Sequence, residues 1–184
     1  MKYDIISIGI DPGFANIGMS IVAKRGSQFF SLGFVTFTTK KDKIERTQGI
    51  RVADDDVRRT SEIYLAVKEA ATLNEVQLAG IESFAPFTGK GGWKATLGYA
   101  AAICALRSLD IPIYTFSPGD IKVLITDKKS STKQDVRDYI ESRYIKDINW
   151  PGPKTKLEHQ GDATAAAILV IVERDRLRKQ LCIE

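Results

Sequence analysis

Three carboxylates and one histidine are the residues of this chain whose settings suit chemistry. Asp11 closes the motif Ile8-Gly9-Ile10-Asp11-Pro12-Gly13, Glu82 follows the apolar run Val76 to Ile81, and Asp162 stands three residues after His159. In a helix that last interval puts both side chains on one face. Acids delivered to one place from separate elements are what a two-metal phosphodiesterase needs. Oxygen ligands suit magnesium or manganese, and two ions about 4 Å apart can activate water and stabilise a leaving oxygen. Each residue alone also has a plainer use. An aspartate before Pro-Gly serves a turn, Glu82 can be a solvated strand end, and Asp162 can stabilise a helix N-terminus. A lone histidine is most often a surface or capping residue. Their joint order is what argues for a site.

The elements that must carry these residues follow from periodicity. Tyr3 to Ile10 reads as a buried strand, Ile17 to Ala23 as a second and Gln28 to Thr38 as a third, with turns at Asp11–Asn16 and Lys24–Ser27. This predicts an antiparallel meander. A basic linker, Lys40 to Arg46, leads to a long amphipathic helix with Val57, Ile63, Tyr64, Leu65, Val67 and Ala70 as its apolar positions. Val76 to Ile81 is the fourth strand and Ile111 to Phe116 the fifth, separated by a Gly-containing loop and an Ala-rich helix, Trp93 to Leu109. Ser117-Pro118-Gly119-Asp120 starts a helix. Ser131-Thr132-Lys133-Gln134 reads as a second capping box, opening a helix to about Tyr144. Trp150-Pro151-Gly152-Pro153 breaks the chain before a last helix from about His159 to Arg178. The predicted fold is α/β: one mixed five-stranded sheet, three antiparallel strands then parallel ones, with helices on both faces. Asp11 and Glu82 then sit where strands emerge from the sheet.

Composition sets the outer bounds. A chain of 184 residues with 43% hydrophobic residues suits one domain, 1–184, with a substantial core. No signal-peptide pattern opens it, and Ala163 to Val172 is shorter than the roughly 20 residues of a membrane span. Cys104 and Cys182 are isolated, which fits a reducing compartment, so a soluble, intracellular, cytoplasmic protein is expected. A net charge of +4 allows a polyanionic partner without requiring one. Lysines and arginines gather at Lys40-Lys41-Lys43, Arg51 with Arg58-Arg59, Lys128-Lys129-Lys133, Lys154-Lys156 and Arg174 to Lys179.

The motif around Asp11, then Ile81-Glu82, then His159-Gln160-Gly161-Asp162-Ala163-Thr164-Ala165-Ala166-Ala167 resembles the RuvC-type Holliday-junction resolvases, which are RNase H-like nucleases. The likeness runs through the chain in element order. It implies Asp11, Glu82 and Asp162 as ligands of two magnesium ions, which manganese can replace. Many members carry an aspartate where this chain has His159, a substitution that some members share. His159 would then either bind metal through a ring nitrogen or position the water. The resemblance also implies phosphate contacts for Lys122 and Lys133, whose eleven-residue separation matches the family, with Lys133 neutralising charge at the scissile group. The basic pair Lys128-Lys129 joins this DNA-binding set. In the family an aromatic shortly after the glutamate enters the junction centre, where stacking contributes about 1–3 kcal/mol per base. Phe84 and Phe87 are both candidates, and Lys90, between glycines, is a phosphate contact. Symmetric cutting of a four-way or branched DNA junction implies a homodimer, with the Trp93–Leu109 helix a candidate contact surface.

Other readings use the same residues. An RNase H-like nuclease acting on RNA–DNA hybrid or flap DNA needs the same carboxylates. An actin-like or sugar-kinase ATPase shares the Asp-x-Gly strand-turn element but pairs two related domains, and no internal repeat is present. A non-catalytic junction-binding module would hold a set of acids that repels phosphates without metals.

Overall fold

The structure, a computed structural model, describes residues 2–40, 52–83, 92–146, 148–150 and 154–181. Three strands open it: β1 (Ile5–Asp11), β2 (Asn16–Arg25) and β3 (Gln28–Thr38). Then come α1 (Val52–Leu73), β4 (Leu78–Glu82), α2 (Gly92–Arg107), β5 (Ile113–Phe116) and three helices, α3 (Pro118–Thr126), α4 (Lys133–Arg143) and α5 (Lys154–Leu181). The sheet order is β3-β2-β1-β4-β5. The first three strands are antiparallel neighbours, whereas β1 with β4 and β4 with β5 run parallel. This is the mixed sheet expected from the sequence.

Strand alternation divides the core in two. Ile8, Ile10, Ile17, Met19, Ile21, Ala79 and Ile81 face one way, against Ile63 and Val67 of α1 and Ala102, Ala105 and Leu106 of α2. On the other face Val22, Leu78 and Phe116 meet α3, α4 and the apolar centre of α5, Ala165 to Ile171. Helices therefore cover both faces.

Four local expectations shift. Leu65 and Val57 are exposed while Ile63, Val67 and Ala71 are buried, an i, i+4, i+8 stripe. Leu65 lies about 200° around the helix from Ile63, so it belongs to the opposite face. The second capping box is built by Thr132 and Asp135 rather than by Ser131 and Gln134. Thr132 has the extended cap conformation, and Ser131 is buried with its hydroxyl 2.6 Å from that of Thr126. The helix α5 begins at Lys154, so His159 and Asp162 lie inside it, and Asp162 is no helix-terminal acid. Asp11 is the last ladder residue of β1, paired with Gly18, rather than the first of a turn.

Candidate metal centre

The site is assembled by three strand glycines. Gly9 and Gly80 pair across β1 and β4, and both face α5, as does Gly18 on β2. A Cβ at Gly9 would lie 1.7 Å from the Ala163 carbonyl oxygen, and one at Gly80 would lie 2.2 Å from that of Ala166. At Gly18 it would meet His159. The backbone of α5 thus lies directly on the sheet, as only glycine beneath it permits. Two hydroxyls fix its register: Ser7 Oγ donates to the Ala167 carbonyl at 2.8 Å and Thr164 Oγ1 to Ser20 Oγ at 2.9 Å.

Two residues beyond Gly9 and Gly80 come Asp11 and Glu82, projecting from the same face because strand side chains alternate. Asp162 immediately precedes the Ala163 that rests on Gly9. One carboxylate oxygen from each of Asp11, Glu82 and Asp162 lies within 4.8 Å of the others. Among the described residues this is the group of acids able to hold a metal. His159 Nδ1 is 2.5 Å from Asp11 Oδ2, and Lys133 Nζ donates to Asp162 Oδ2 at 2.6 Å.

The electrostatics record how crowded these acids are. Burial, then Asp162, then Asp11 push the Glu82 carboxyl up to about 8. Burial also raises Asp162 despite the opposing bond from Lys133, since one half-exposed ammonium does not replace the water that a buried carboxylate loses. The hydrogen bond to Asp11 raises His159 and favours imidazolium. For Lys133, burial pulls downward, but the bond and attraction to Asp162 prevail and raise it. The two cationic partners can balance two carboxylates but not three, so full ionisation of the acids leaves an uncompensated negative charge. A set of all-oxygen donors that resists full ionisation fits a hard divalent cation, which would relieve the repulsion.

The remaining expected contacts fare differently. Lys122, half-buried on α3, makes no hydrogen bond or ion pair with the acids among the described residues, and its carbonyl accepts from Thr126. Lys128 and Lys129 are exposed between α3 and α4. Phe84, Phe87 and Lys90 lie outside the described residues. Arg59, one of the gathered basic residues in sequence, is buried beside Asp55. Gly18 and Gly80 were missed as site residues. The available signal was a glycine within an apolar strand, which marks a close backbone approach.

No protein-family model matches the chain. The crossover junction endodeoxyribonuclease RuvC of Prochlorococcus marinus (strain MIT 9312) is 26% identical over 166 residues, which are 90% of this chain and 96% of that protein. The RuvC of Thermus thermophilus in complex with a Holliday junction substrate matches with a TM-score of 0.74 at 19% identity, covering 94% of this chain and 96% of that one. The yeast mitochondrial Holliday junction resolvase matches with a TM-score of 0.61 at 10% identity, over 94% and 85% of the two chains. These solved structures establish the fold, an RNase H-like sheet with its covering helices. Over nine-tenths of its length the chain is similar in sequence to the Prochlorococcus marinus RuvC, and it shares its fold with the Thermus thermophilus RuvC.

Proposed function

We propose that this chain is a RuvC-type crossover junction endodeoxyribonuclease, which hydrolyses DNA phosphodiesters at four-way or otherwise branched junctions using divalent cations. The observation that carries the reading is the convergence of Asp11, Glu82 and Asp162 within 4.8 Å where β1 and β4 end, in a chain with RuvC-like sequence and fold. The ligand set is Asp11, Glu82 and Asp162 around two magnesium or manganese ions, with His159 at its edge. Such ions supply Lewis-acid activation of water and neutralise charge on the phosphate. Asp11 would be a ligand to the ions, and His159 is placed to orient it through Nδ1. Lys133 balances Asp162, and its ammonium, about half exposed, is available to a phosphate oxygen. Lys122, Lys128 and Lys129 supply DNA-backbone contacts away from the cut, Lys90 is a further phosphate contact, and Phe84 or Phe87 is the aromatic that enters the junction centre.

Symmetric cleavage calls for two copies. The outer stripe of α2, with Trp93, Ala100 and Cys104 exposed, is the proposed homodimer surface. A monomeric mass by light scattering at micromolar concentration would exclude it.

The test is cleavage of a synthetic four-way junction with magnesium by the wild type and by Asp11→Asn. Paired, symmetric cuts by the wild type and none by the variant are expected. Equal cutting by both, or no cutting of any branched DNA, overturns the reading. Preference for an RNA–DNA hybrid in the same panel would replace it with the alternative nuclease activity.

A further inference from the structure

The chain leaves β1 at Asp11 through Pro12-Gly13-Phe14-Ala15, a turn with little of its own to hold it. Pro12 lacks an N–H and Gly13 has a wide conformational range. The structure holds this turn from outside, through residues that the metal centre does not use. Phe14 is buried, with the Arg59 guanidinium 4.2 Å from its ring centroid and Lys94 Nζ at 5.7 Å. Arg59, on α1, donates from Nε to Thr39 Oγ1 at 3.0 Å and from Nη2 to the Phe14 carbonyl at 3.4 Å. Thr39 Oγ1 in turn donates to that same carbonyl at 2.6 Å, and Thr39 N donates to the Ala15 carbonyl at 3.0 Å. Helix α2 closes the other side, where a Cβ on Gly98 would lie 3.0 Å from the Gly13 carbonyl oxygen.

The countercharges are internal. Asp55 Oδ2 is 3.8 Å from Arg59 Nη1, and Asp56 Oδ1 accepts from Lys94 at 2.8 Å. Asp55, Asp56, Arg59 and Thr39 are all buried. An assembly of buried ions is a poor route to stability, because desolvation cancels most of the attraction. Its contacts converge on the carbonyls of Phe14 and Ala15, three and four residues after Asp11.

We propose that Arg59 and Thr39, gripping Phe14, form a positioning assembly that holds Asp11 in place for its metal ions; this rests on the nuclease reading above. The groups act through the backbone of the turn and touch neither metal nor DNA. Partners bonded directly to a metal ligand are worth about 10- to 100-fold in metal affinity or activity, and a grip exerted three residues away through the backbone is placed at the lower end.

Asp55 is held more closely by Arg58, at 2.6 Å, so removing Arg59 would disturb a shared ion cluster; the informative variants are therefore Thr39→Val, which deletes the hydroxyl at nearly constant volume, and Thr39→Ser, which keeps it. Manganese binding to the protein alone is measured by calorimetry, alongside the melting temperature and four-way-junction binding in EDTA. The assembly predicts about 10-fold weaker manganese binding for Thr39→Val, wild-type binding for Thr39→Ser, and unchanged junction affinity for both. A folded Thr39→Val with wild-type manganese affinity overturns the proposal, as does an equal loss in Thr39→Ser. A wild type that neither binds manganese nor cuts junctions instead overturns the nuclease reading, and this proposal with it.

Discussion

Replacing Gly9 by alanine tests how the metal centre is put together. The new Cβ would lie 1.7 Å from the Ala163 carbonyl oxygen and 2.6 Å from the Ala167 nitrogen. Cβ contacts essentially never fall below 3.0 Å, so α5 must retreat from the sheet by roughly 1.3 Å. Both obstacles are backbone, and no side-chain rotation relieves them. Overpacking of this kind costs about 1–3 kcal/mol of stability. The effect on the site is larger. Asp162 adjoins Ala163 and moves with the helix, while Asp11 and Glu82 stay with their strands. A displacement of about 1 Å in a catalytic group slows reaction about 10²-fold. The assay is single-turnover cleavage of a four-way junction, with manganese calorimetry and a denaturation midpoint to confirm folding. Gly33→Ala is the control, since nothing lies within 4 Å of its Cβ position. Slow cleavage and weak metal binding are expected for Gly9→Ala alone. A folded Gly9→Ala that cuts at the wild-type rate would refute the idea that glycine clearance sets the site, and so would an equal loss in Gly33→Ala.

Three further outcomes follow from the electrostatics. Glu82 holds its proton up to about 8 in the folded protein against an ordinary 4.5, so its contribution to stability is full below 4.5 and is lost as pH rises through 8. Asp162 and His159 are raised as well and act with the same sign. The melting temperature in EDTA should therefore fall across that window and recover with manganese, and Glu82→Gln should flatten the slope; an unchanged slope contradicts the assignment. Lys133→Gln removes the ammonium 2.6 Å from Asp162. It should slow cleavage on the order of 10²-fold and reduce the salt dependence of junction binding by about one unit of slope. Retention of both the rate and the slope would exclude its phosphate contact. His159→Asp exchanges a nitrogen for the oxygen that magnesium prefers, so the ratio of cleavage rates in magnesium and manganese should shift toward magnesium. An unchanged ratio would place His159 outside the metal shell.

Much of the fold was legible because its signals are local. Alternating apolar residues placed β1, β2 and β3 within a few residues of their observed ends, and β3 at Gln28–Thr38 without error. Asp11 and Glu82 follow apolar runs, so their position at strand ends needed no tertiary information. Ser117 and Asp120 announced the start of α3, and their reciprocal hydrogen bonds form it. Local rules misled where two choices were chemically equivalent, as with Ser131 or Thr132 for the cap of α4. The exposure of Leu65 shows the same limit, since spacing alone did not tell which apolar residues turn toward the sheet.

How near the acids come to one another was a tertiary decision. Asp162 lies 151 positions after Asp11 in the chain, and its approach depends on Gly9, Gly18 and Gly80, which three strands bring side by side. No window of sequence contains that clearance, and no pattern predicts that Ser7 and Thr164 will fix the helix register above it. The same holds for Arg59. As one residue of a basic stretch it shows no local sign of burial, and only the fold buries it against Phe14 and Asp55. The sequence by itself determined which groups could bind a metal and which elements carry them. The tertiary structure decided that they meet, because burial and close backbone contact arise only between segments distant along the chain.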